Sequence, residues 1–505
     1  MNDKENVVNN TLGNDVKIVK TDDGAKDGQN KCPKCGATDI TVNTKSGKLR
    51  CNFCRHEFEL EKLEGMESDL SKLEGQVIAS GASNIVADTK DVVTLKCSSC
   101  GAEVVIDTKS SVNARCHWCR NTLSINEQIP NGSIPDVVLP FNVTKDGAKL
   151  EIEKFVGKRK FFAHPKFRAE FTTNNIMGVY FPYMLVDVNG HANFIGEGEH
   201  QTNMYYVGKE NNRQARYDAD LYHVERDFDI IIDDLSIESS SDRLNVNSKE
   251  KTNNIINAIM PFDTENCVKY NANYLSGYTS EKRDTNVDEL KSMAAEQAKD
   301  IARYAANDSL DNYDRGVRWH GEQLDIKGQS WTAAYFPVWL YSYQQVNGDK
   351  KLLHYVAVNG RTKKTMGSVP IHMPKLLLVS ALVEILGVLG MIYVDWDYSW
   401  LFLFVGLIYF LIMYGRYRNS GARHTYETQT KKEISNLKKV DRFIRSETGL
   451  TNSFMEGANN MKINGQTSAN KLTGQNIGNS VINSAINGSS IANIIKDNIN
   501  KNGGK

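Results

Sequence analysis

Four Cys-x-x-Cys pairs have the residue type and spacing of zinc ligands. The first two pairs are separated by fifteen residues, 36–50, and the last two by fifteen residues, 101–115. The motif recurs after a shift of 65 residues with Lys, Gly, Ala and Arg at matching positions, which indicates an internal duplication. The eight cysteines are Cys32, Cys35, Cys51, Cys54, Cys97, Cys100, Cys116 and Cys119.

Each copy has the ligand set of a zinc ribbon. Two thiolates on one tight turn, brought by a β-hairpin to two more, supply four sulfurs at about 2.3 Å around a tetrahedral ion. Residues 39–42 in one copy and 104–106 in the other suit the strands of such hairpins. We predict two Zn²⁺ ions per chain, in ribbons at 31–60 and 96–125. Both would be structural, because four protein ligands leave no open coordination position.

Disulfides and redox Cys-x-x-Cys pairs are the alternative interpretations. A cytoplasmic location disfavours disulfides, and neither copy lies in a βαβ context. His56 and His117 lie near the second pairs but are not needed as ligands. Cys267 is left over, and we interpret it as a free thiol rather than a nucleophile. Residues 61–95 predict a linker between the ribbons, and its first part, 61–76, fits a short helix or a loose segment.

The remaining sequence contains no recognised catalytic motif. The phosphate-binding sequence GxxxxGK[ST] does not occur, and neither do HExxH and GxSxG. Four residues of the middle region could gather around a metal, but their spacing fits no established pattern, and we favour a solvated hairpin. They are His191, Glu197, Glu199 and His200. We therefore expect no enzymatic activity.

An apolar stretch at 376–415 predicts a transmembrane helical hairpin. Residues 376–394 contain one charge, Glu384, and at 1.5 Å per residue they just cross a hydrocarbon core of roughly 30 Å. Residues 400–414 carry no charge, and aromatic residues crowd the ends of both segments. Basic residues flank the hairpin on both sides, whereas the turn carries only two aspartates. The positive-inside rule therefore predicts a two-helix cell-membrane protein with both termini in the cytoplasm.

Glu384 is the residue of this hairpin whose transfer into a membrane is energetically unfavourable. Ionisable groups within a membrane usually face a partner helix, and Glu384 shares a helical stripe with Ser380 and Gly387. The stripe favours close packing with the returning helix or with a second hairpin. The alternatives are a protonated Glu384 in a small gap and, for the whole segment, a helical hairpin buried in a soluble core.

Residues 134–374 predict a soluble α+β domain rich in antiparallel sheet. Two halves, about 134–255 and 256–374, each begin with an apolar-Pro-Phe triplet and contain a Tyr-Phe-Pro run that leads into a strand-like segment. Asn-Gly pairs at 189–190 and 347–348 predict tight hairpin turns downstream.

Two helices and an acidic strand are predicted within this domain. Residues 287–306 place apolar side chains on one face and acidic residues in the first turn. Residues 144–156 are a second helix candidate. Aspartates surround the apolar run 230–232, which looks like a strand with acidic ends.

The flanking regions are predicted to be mostly unstructured. Residues 1–30 are polar, without the apolar run of a signal peptide, and residues 449–505 are rich in Asn, Ser and Gly. Between hairpin and tail, residues 431–447 predict a basic amphipathic helix, with apolar residues at intervals of about three. This helix would lie on anionic headgroups or in solvent.

The order of these parts resembles a known family. The ribbons are followed by Leu-Pro-Phe, then by Tyr-Phe-Pro-Val-Trp-Leu and His-Tyr-Val-Ala-Val-Asn-Gly-Arg-Thr before two hydrophobic segments. This order resembles a bacterial membrane protein family described as containing a transcription-factor-IIB-type zinc ribbon, and members are sometimes labelled primosomal helicase-like. The resemblance covers roughly residues 31–415 and is most specific over 335–360. It implies zinc binding and membrane attachment, without a settled activity.

Charge decides between the two functions considered for the ribbons. The chain has 61 basic and 61 acidic residues, so no global field draws it to nucleic acid. The excess of basic over acidic residues is three in 31–60 and two in 96–125, which is modest for a phosphate-binding face. Phe53 and Trp118 could stack on bases, but we favour packing over their own zinc turns. We therefore expect a membrane-tethered adaptor with protein partners, and only weak nucleic-acid binding as the alternative.

Overall fold

The computed structural model describes most of the middle of the chain and parts of both ribbons. The described residues are 16–19, 32, 34–35, 40–43, 46, 48–58, 69–83, 92–96, 103–107, 116, 128–129, 135–208, 213–240, 255–270, 274, 278–281, 283–311, 313–347, 350–393, 399–418 and 424–451. The strands are β1 Val16–Val19, β2 Ile40–Val42, β3 Leu49–Cys51, β4 Glu57–Phe58, β5 Gly75–Ala79, β6 Val92–Lys96, β7 Glu103–Asp107, β8 Gln128–Ile129, β9 Val137–Val138, β10 Met177–Val207, β11 Gln214–Glu238, β12 Val268–Lys269, β13 Thr279–Glu281, β14 Val317–Asn347, β15 Lys350–Asn359, β16 Thr365–Gly367 and β17 Lys431–Leu450. The helices are α1 Lys145–Gly157, α2 Pro165–Glu170, α3 Ile255–Ala258, α4 Val287–Asp308, α5 Met373–Tyr393, α6 Val405–Arg418 and α7 Tyr426–Gln429.

A large, mostly antiparallel sheet forms the centre of this α+β structure. Its long strands lie in the order β17, β11, β10, β14. The edge of β14 that faces away from β10 pairs with β5, β9 and β15 one after another along its length. Along β11 buried residues alternate with less buried ones, which is the period of a strand with one face on a core. The domain predicted for residues 134–374 is therefore a mixed α+β unit with a sheet-rich middle.

Helix α4 covers one face of the sheet. Its apolar stripe includes Leu290, Ala294 and Ile301, which pack with Trp319 and Trp331 in one buried cluster. A capping box stabilises its start, because the side chains of Asn286 and Glu289 each bond to the other's backbone N–H. The helix predicted at 287–306 is confirmed, and so is the candidate at 144–156, which forms α1.

The two halves of the domain exchange strand pairings: their long strands pair with each other, and the short strand of each half pairs with the long strand of the other. Phe181 in β10 lies opposite Phe336 in β14, so the two Tyr-Phe-Pro runs cross in antiparallel register. The short strand β9 pairs in parallel with β14, and β13 pairs in parallel with β10. Each half thus contributes one short strand and one long strand to this pairing, β9 and β10 from the first half and β13 and β14 from the second.

The Asn-Gly pair at 189–190 is not a turn. It lies inside β10, with Asn189 opposite both Ile231 of β11 and Gly328 of β14. The prediction was wrong because pairing on both edges overrides the local turn preference, and Gly190 marks a register shift instead. The prediction at 347–348 is confirmed, since β14 ends at Asn347 and β15 begins at Lys350 in antiparallel register.

The segment after the apolar helices is a strand, not the helix predicted at 431–447. β17 pairs antiparallel with β11, and the pairing has three register shifts. The helical spacing of its apolar residues misled the prediction, because most of these side chains are exposed and the edge of β11 supplies partners for the backbone instead. Asn436, next to one shift, has a φ of 55°.

Three boundaries also differ from the predictions. Val16–Val19, predicted to be unstructured, forms β1 and pairs in parallel with β5. The linker predicted at 61–95 contains β5 and most of β6, and its described part has a short 3-10 turn at Leu70–Lys72. The tail predicted from 449 begins inside β17, which ends at Leu450, and residues 452–505 lie outside the described residues.

Candidate metal centre and apolar helix pair

The four cysteines of the first ribbon converge. β3 pairs with β2 and β4 in a small antiparallel sheet that places Cys51 opposite Ile40. The Sγ atoms of Cys32 and Cys54 are 3.5 Å apart, those of Cys35 and Cys51 are 3.6 Å apart, and all four lie within 4.8 Å of one another. Tetrahedral sulfurs at about 2.3 Å from zinc are about 3.8 Å apart. The cluster is therefore compatible with a zinc ion.

Local hydrogen bonds prepare these sulfurs for a cation. The backbone N–H of Cys54 donates to the Sγ of Cys51 at 3.5 Å. Burial raises the pKa of the Cys32 thiol, but hydrogen bonds from the backbone of Cys35 and Lys34 and from neighbouring thiols outweigh it and lower that pKa to about 7. A thiol of lowered pKa is more readily the thiolate that binds zinc.

The second ribbon is described only in part. The strand predicted at 104–106 is present as β7, but its hairpin partner β6 precedes Cys97 instead of following β7 as predicted; β7 also pairs with β13, so both strands belong to the large sheet. Cys116 is buried. The other three cysteines, Cys97, Cys100 and Cys119, lie outside the described residues. The second zinc ion therefore stays a prediction.

The aromatic residue of the first ribbon faces solvent. The Phe53 side chain is 81% exposed, so the packing over its own zinc turn that the sequence favoured is wrong. His56 stacks on Phe58 with ring centroids 6.1 Å apart and takes no part in the four-cysteine cluster. Trp118, the counterpart of Phe53, lies outside the described residues.

The segment between the ribbons is docked on the large sheet. β5 pairs in parallel with β14, with Gly75 opposite Gly328. The buried Asn189 amide donates to the carbonyls of Ser71 and Leu73 at 3.0 and 3.1 Å. A Cβ at Gly328 would lie 2.2 Å from the Leu73 carbonyl oxygen, so only glycine permits this approach.

A buried arginine fixes the end of the same segment. Arg283 is 2% exposed, and its guanidinium donates to the carbonyls of Gly81, Ala82 and Ser83. Burial lowers its pKa to about 10, although the nearby Asp136 carboxylate opposes the shift. Residues 69–83 thus have a defined position relative to the sheet.

The predicted transmembrane region contains two apolar helices of different length. Within the described residues, Met373–Ile392 is long and apolar enough to cross a membrane by length and composition, with a mean hydropathy of 2.2 over its most apolar window and 17% of that window buried. Phe402–Tyr417 is a shorter apolar segment. By length and composition alone, one helix meets the requirement for a span.

The two helices pack closely through the predicted stripe. The Oε2 atom of Glu384 accepts a hydrogen bond of 2.8 Å from the backbone N–H of Gly406. A Cβ at Gly406 would lie 2.5 Å from the Ser380 carbonyl oxygen, and a Cβ at Gly387 would lie 2.5 Å from that of Phe402. The packing predicted between α5 and the returning helix is therefore present.

A basic segment that the sequence reasoning missed lies against the ends of both helices. The Nε of Arg159 donates to the Arg416 carbonyl at 3.1 Å, and the backbone N–H of Phe162 donates to the Tyr417 hydroxyl at 2.9 Å. Lys375 at the start of α5 donates to the Phe161 carbonyl. The available signal was a basic run without acidic residues, interleaved with aromatic residues, at 157–168.

The four middle-region residues considered as metal ligands are not brought together. The His191 ring lies between Asp227 and Asp229, at 3.1 and 3.0 Å. Glu199 is buried and interacts with its own partners, Tyr217 and Arg315, while His200 pairs with Asp314 at 2.8 Å. All four lie on β10, which pairs with β11 throughout this region and with β14 as far as Gly198.

Three carboxylates do converge at a bulge between β10 and β11. Oxygen atoms of Asp187, Asp233 and Asp234 lie within 4.8 Å of one another. The pairing skips from Val186 to Val188 here, so Asp187 lies opposite two residues. Burial of the Asp187 carboxyl and the charge of Asp234 raise its pKa to about 7. The acidic ends predicted for the strand around 230–232 thus meet a third acid from β10.

Cys267 has the properties of an unreactive thiol. It is a free cysteine of intermediate exposure. Burial of the thiol, with the charges of Asp234 and Asp263, raises its pKa well above the usual value, and this disfavours the nucleophilic thiolate.

Comparison with known proteins adds one relative. The chain is similar to YdjG, an uncharacterized protein of Bacillus subtilis (strain 168), with 25% identity over 349 residues. The match covers 68% of this chain and 91% of the relative. No family model matches the chain. No solved structure matches it either.

Proposed function

We propose that this chain is a membrane-anchored zinc-ribbon protein that faces the cytoplasm and binds other proteins as an adaptor. The observation that carries the proposal is a zinc-compatible four-cysteine cluster whose second turn exposes Phe53. The docked segment between the ribbons holds this part of the chain to the same sheet that leads into the apolar helices. An exposed aromatic ring on a rigid turn is suited to a protein contact.

The exposed side chains of α5 support membrane anchoring. Leu378, Leu386 and Ile392 are between 62% and 67% exposed, and water would solvate these leucine and isoleucine side chains unfavourably. A lipid environment removes that cost. The alternative, burial in a soluble core, agrees poorly with a helix so little covered by the described residues.

We propose that the second apolar segment returns across the bilayer. Ser399–Phe404 forms a 3-10 turn that continues into α6. Six residues at about 2.0 Å and fourteen at about 1.5 Å rise roughly 33 Å together, close to the roughly 30 Å of a hydrocarbon core. The bond from Gly406 supplies a partner for the Glu384 carboxylate, as an intramembrane acid requires. In this topology both termini are cytoplasmic.

Nucleic-acid binding is the second candidate, because the exposed Phe53 ring could also stack on a base. The local charge favours the adaptor. Asn43 and Ser46 donate hydrogen bonds to the Glu57 carboxylate. The charges of Lys48 and Arg50 also interact with this carboxylate, so the attraction of these two cations for a phosphate is weakened. The proposal assigns no catalytic step to the chain.

Quantitative affinity purification from solubilised membranes tests the adaptor function. Wild type, Phe53→Ala and the control Tyr206→Ala, which removes another exposed ring, would be compared at equal expression. We expect a defined set of proteins that is retained by the control and reduced at least fivefold by Phe53→Ala. Equal recovery from all three variants would contradict a role for this surface.

A salt titration separates the two candidates. The full-length, zinc-loaded protein should bind DNA and RNA weakly at physiological salt, because few phosphates can be neutralised. Submicromolar binding with a steep salt slope, lost in Lys48→Gln/Arg50→Gln, would reverse the choice. Cysteine-accessibility labelling tests the topology, since a label that reaches position 204 from outside the cell contradicts a cytoplasmic sheet.

A further inference from the structure

The segment 157–168 wraps around the cytoplasmic ends proposed for the two apolar helices. Its contacts run to both of them, through Arg159 and Phe162 to the end of α6 and through Phe161 to the start of α5. His372 also donates its backbone N–H to the Phe162 carbonyl at 2.8 Å. The segment therefore keeps a fixed height relative to the apolar surface of the helices.

This region concentrates positive charge that forms no ion pair with the carboxylates of the described residues. Residues 157–168 contain five basic and no acidic residues. With the two basic residues that adjoin them at the helix ends they form a surface that we call the basic collar. It consists of Lys158, Arg159, Lys160, Lys166, Arg168, Lys375 and Arg416. Among the described residues, no collar side chain has an Asp or Glu within ion-pair distance, whereas Lys149 and Lys154 of the preceding helix do.

The collar residues also crowd one another. Burial lowers the pKa of Arg159, and the nearby charge of Arg416 lowers it further. Burial likewise lowers the pKa of His164, with smaller contributions from His372 and Lys166. An anion at this surface would relieve such like-charge repulsion.

One aromatic ring projects beside these charges. Phe161 is 60% exposed, and the Lys375 ammonium lies 3.8 Å from its ring centroid. Exposed aromatic and basic side chains at the end of an apolar helix are typical of the headgroup layer of a bilayer. The collar thus combines an apolar insertion point with a ring of cations at one level.

We propose that the basic collar binds the headgroups of anionic phospholipids, with Phe161 inserted at the boundary of the acyl chains. The inference rests on the proposed membrane anchoring and adds a lipid preference to it. The contact with anionic headgroups that the sequence predicted for residues 431–447 is therefore assigned to residues 157–168 in this proposal. Lysines and arginines near an anionic leaflet each add to attraction, and the effect falls off within a Debye length of about 8–10 Å.

The test uses the full-length protein in bilayers of phosphatidylglycerol and phosphatidylcholine in equal amounts, with bound lipid counted by native mass spectrometry. We expect phosphatidylglycerol to be enriched severalfold in wild type and to approach the bulk ratio in Lys158→Gln/Lys160→Gln. The control, Lys145→Gln/Lys149→Gln, removes the same charge from the N-terminal half of α1, about 14–20 Å from Lys158 along the helix. It should keep the wild-type enrichment. Neither double variant changes a buried residue, and thermal unfolding at the same temperature as the wild type would exclude a folding defect in either.

Three outcomes would overturn the inference: no enrichment in wild type, equal loss in both double variants, or displacement of the lipid by an acidic polyglutamate peptide at equal charge. Inorganic phosphate at millimolar concentration should not compete, since it lacks the bilayer. Carbonate extraction of cell membranes separates this inference from the anchoring itself. A protein that carbonate extracts contradicts anchoring, whereas an integral protein without lipid preference contradicts only the collar.

Discussion

The carboxylate of Glu384 and the backbone N–H of Gly406 are joined by a hydrogen bond of 2.8 Å between the two apolar helices. Gly406 is the second residue of α6, so its N–H has no acceptor within its own helix. The acid of one helix therefore caps the start of the other. This contact explains how an apolar helix keeps a carboxylate in its middle.

A methyl group at Gly406 should separate the helices. In Gly406→Ala the added Cβ would lie 2.5 Å from the Ser380 carbonyl oxygen, so the backbones must move apart. We expect a loss of about 1–3 kcal/mol, measured as a lower unfolding midpoint in detergent. In the control, Gly390→Ala, the new Cβ meets only Phe402 at 3.8 Å, and stability should hardly change. Equal effects would contradict the close packing.

Metal analysis should find two zinc ions per chain. Each ribbon has too little core of its own, so bound metal supplies much of its folding free energy. Cys51→Ser should reduce the count to one and leave the large sheet intact by circular dichroism. Cys267→Ser, which removes a thiol outside both ribbons, should keep two. A value of one in the wild type would contradict the prediction of two ions, and a value of none would contradict both sites.

A single glycine should control the docking of the segment between the ribbons. In Gly328→Ala the new Cβ would lie 2.2 Å from the Leu73 carbonyl oxygen, which is backbone and cannot rotate away. We expect a loss of about 1–3 kcal/mol and faster proteolysis within residues 69–83. Gly321→Ala on the same strand, where the nearest atom is 3.5 Å away, is the control. Similar proteolysis of both variants would argue against docking.

The acids at the β10–β11 bulge should make stability fall as pH rises. Because the pKa of Asp187 is about 7 in the folded protein and 3.8 ordinarily, the folded state holds a proton that the unfolded state releases between those values. Stability is therefore lost from about pH 4 to pH 7 and stays low above. Asp187→Asn cannot ionise and should be more stable than wild type at pH 8, by on the order of 2 kcal/mol, but not at pH 4.

Chemical denaturation at both pH values checks this expectation. The exposed Asp325 on β14 offers the control Asp325→Asn, which should show no such pH dependence. A gain from Asp187→Asn that is the same at pH 4 and pH 8 would show that ionisation of the buried Asp187 carboxyl is not its cause.

The sequence by itself determined the features that depend on neighbours along the chain. The Cys-x-x-Cys spacing places the sulfurs of one turn, and Cys32, Cys35, Cys51 and Cys54 cluster as predicted. The capping residues and apolar stripe of α4, the start of α1 after Thr144 and the turn after Asn347 were also predictable. The helix starts, the apolar stripe and the turns depend on interactions within a few residues, and the cysteine cluster joins two such turns through one short hairpin.

Only the tertiary structure decided the features that depend on pairing across the sheet. Asn189-Gly190 has the local preference of a turn, yet strands on both sides continue through it. Residues 431–447 have helical apolar spacing, yet β11 offers them a complete edge, and backbone pairing along that edge makes the segment a strand. The backbone hydrogen bonds of these strands are made to residues tens to hundreds of positions away. For this reason, the same local pattern fits a turn, a helix or a strand until the partner strand is known.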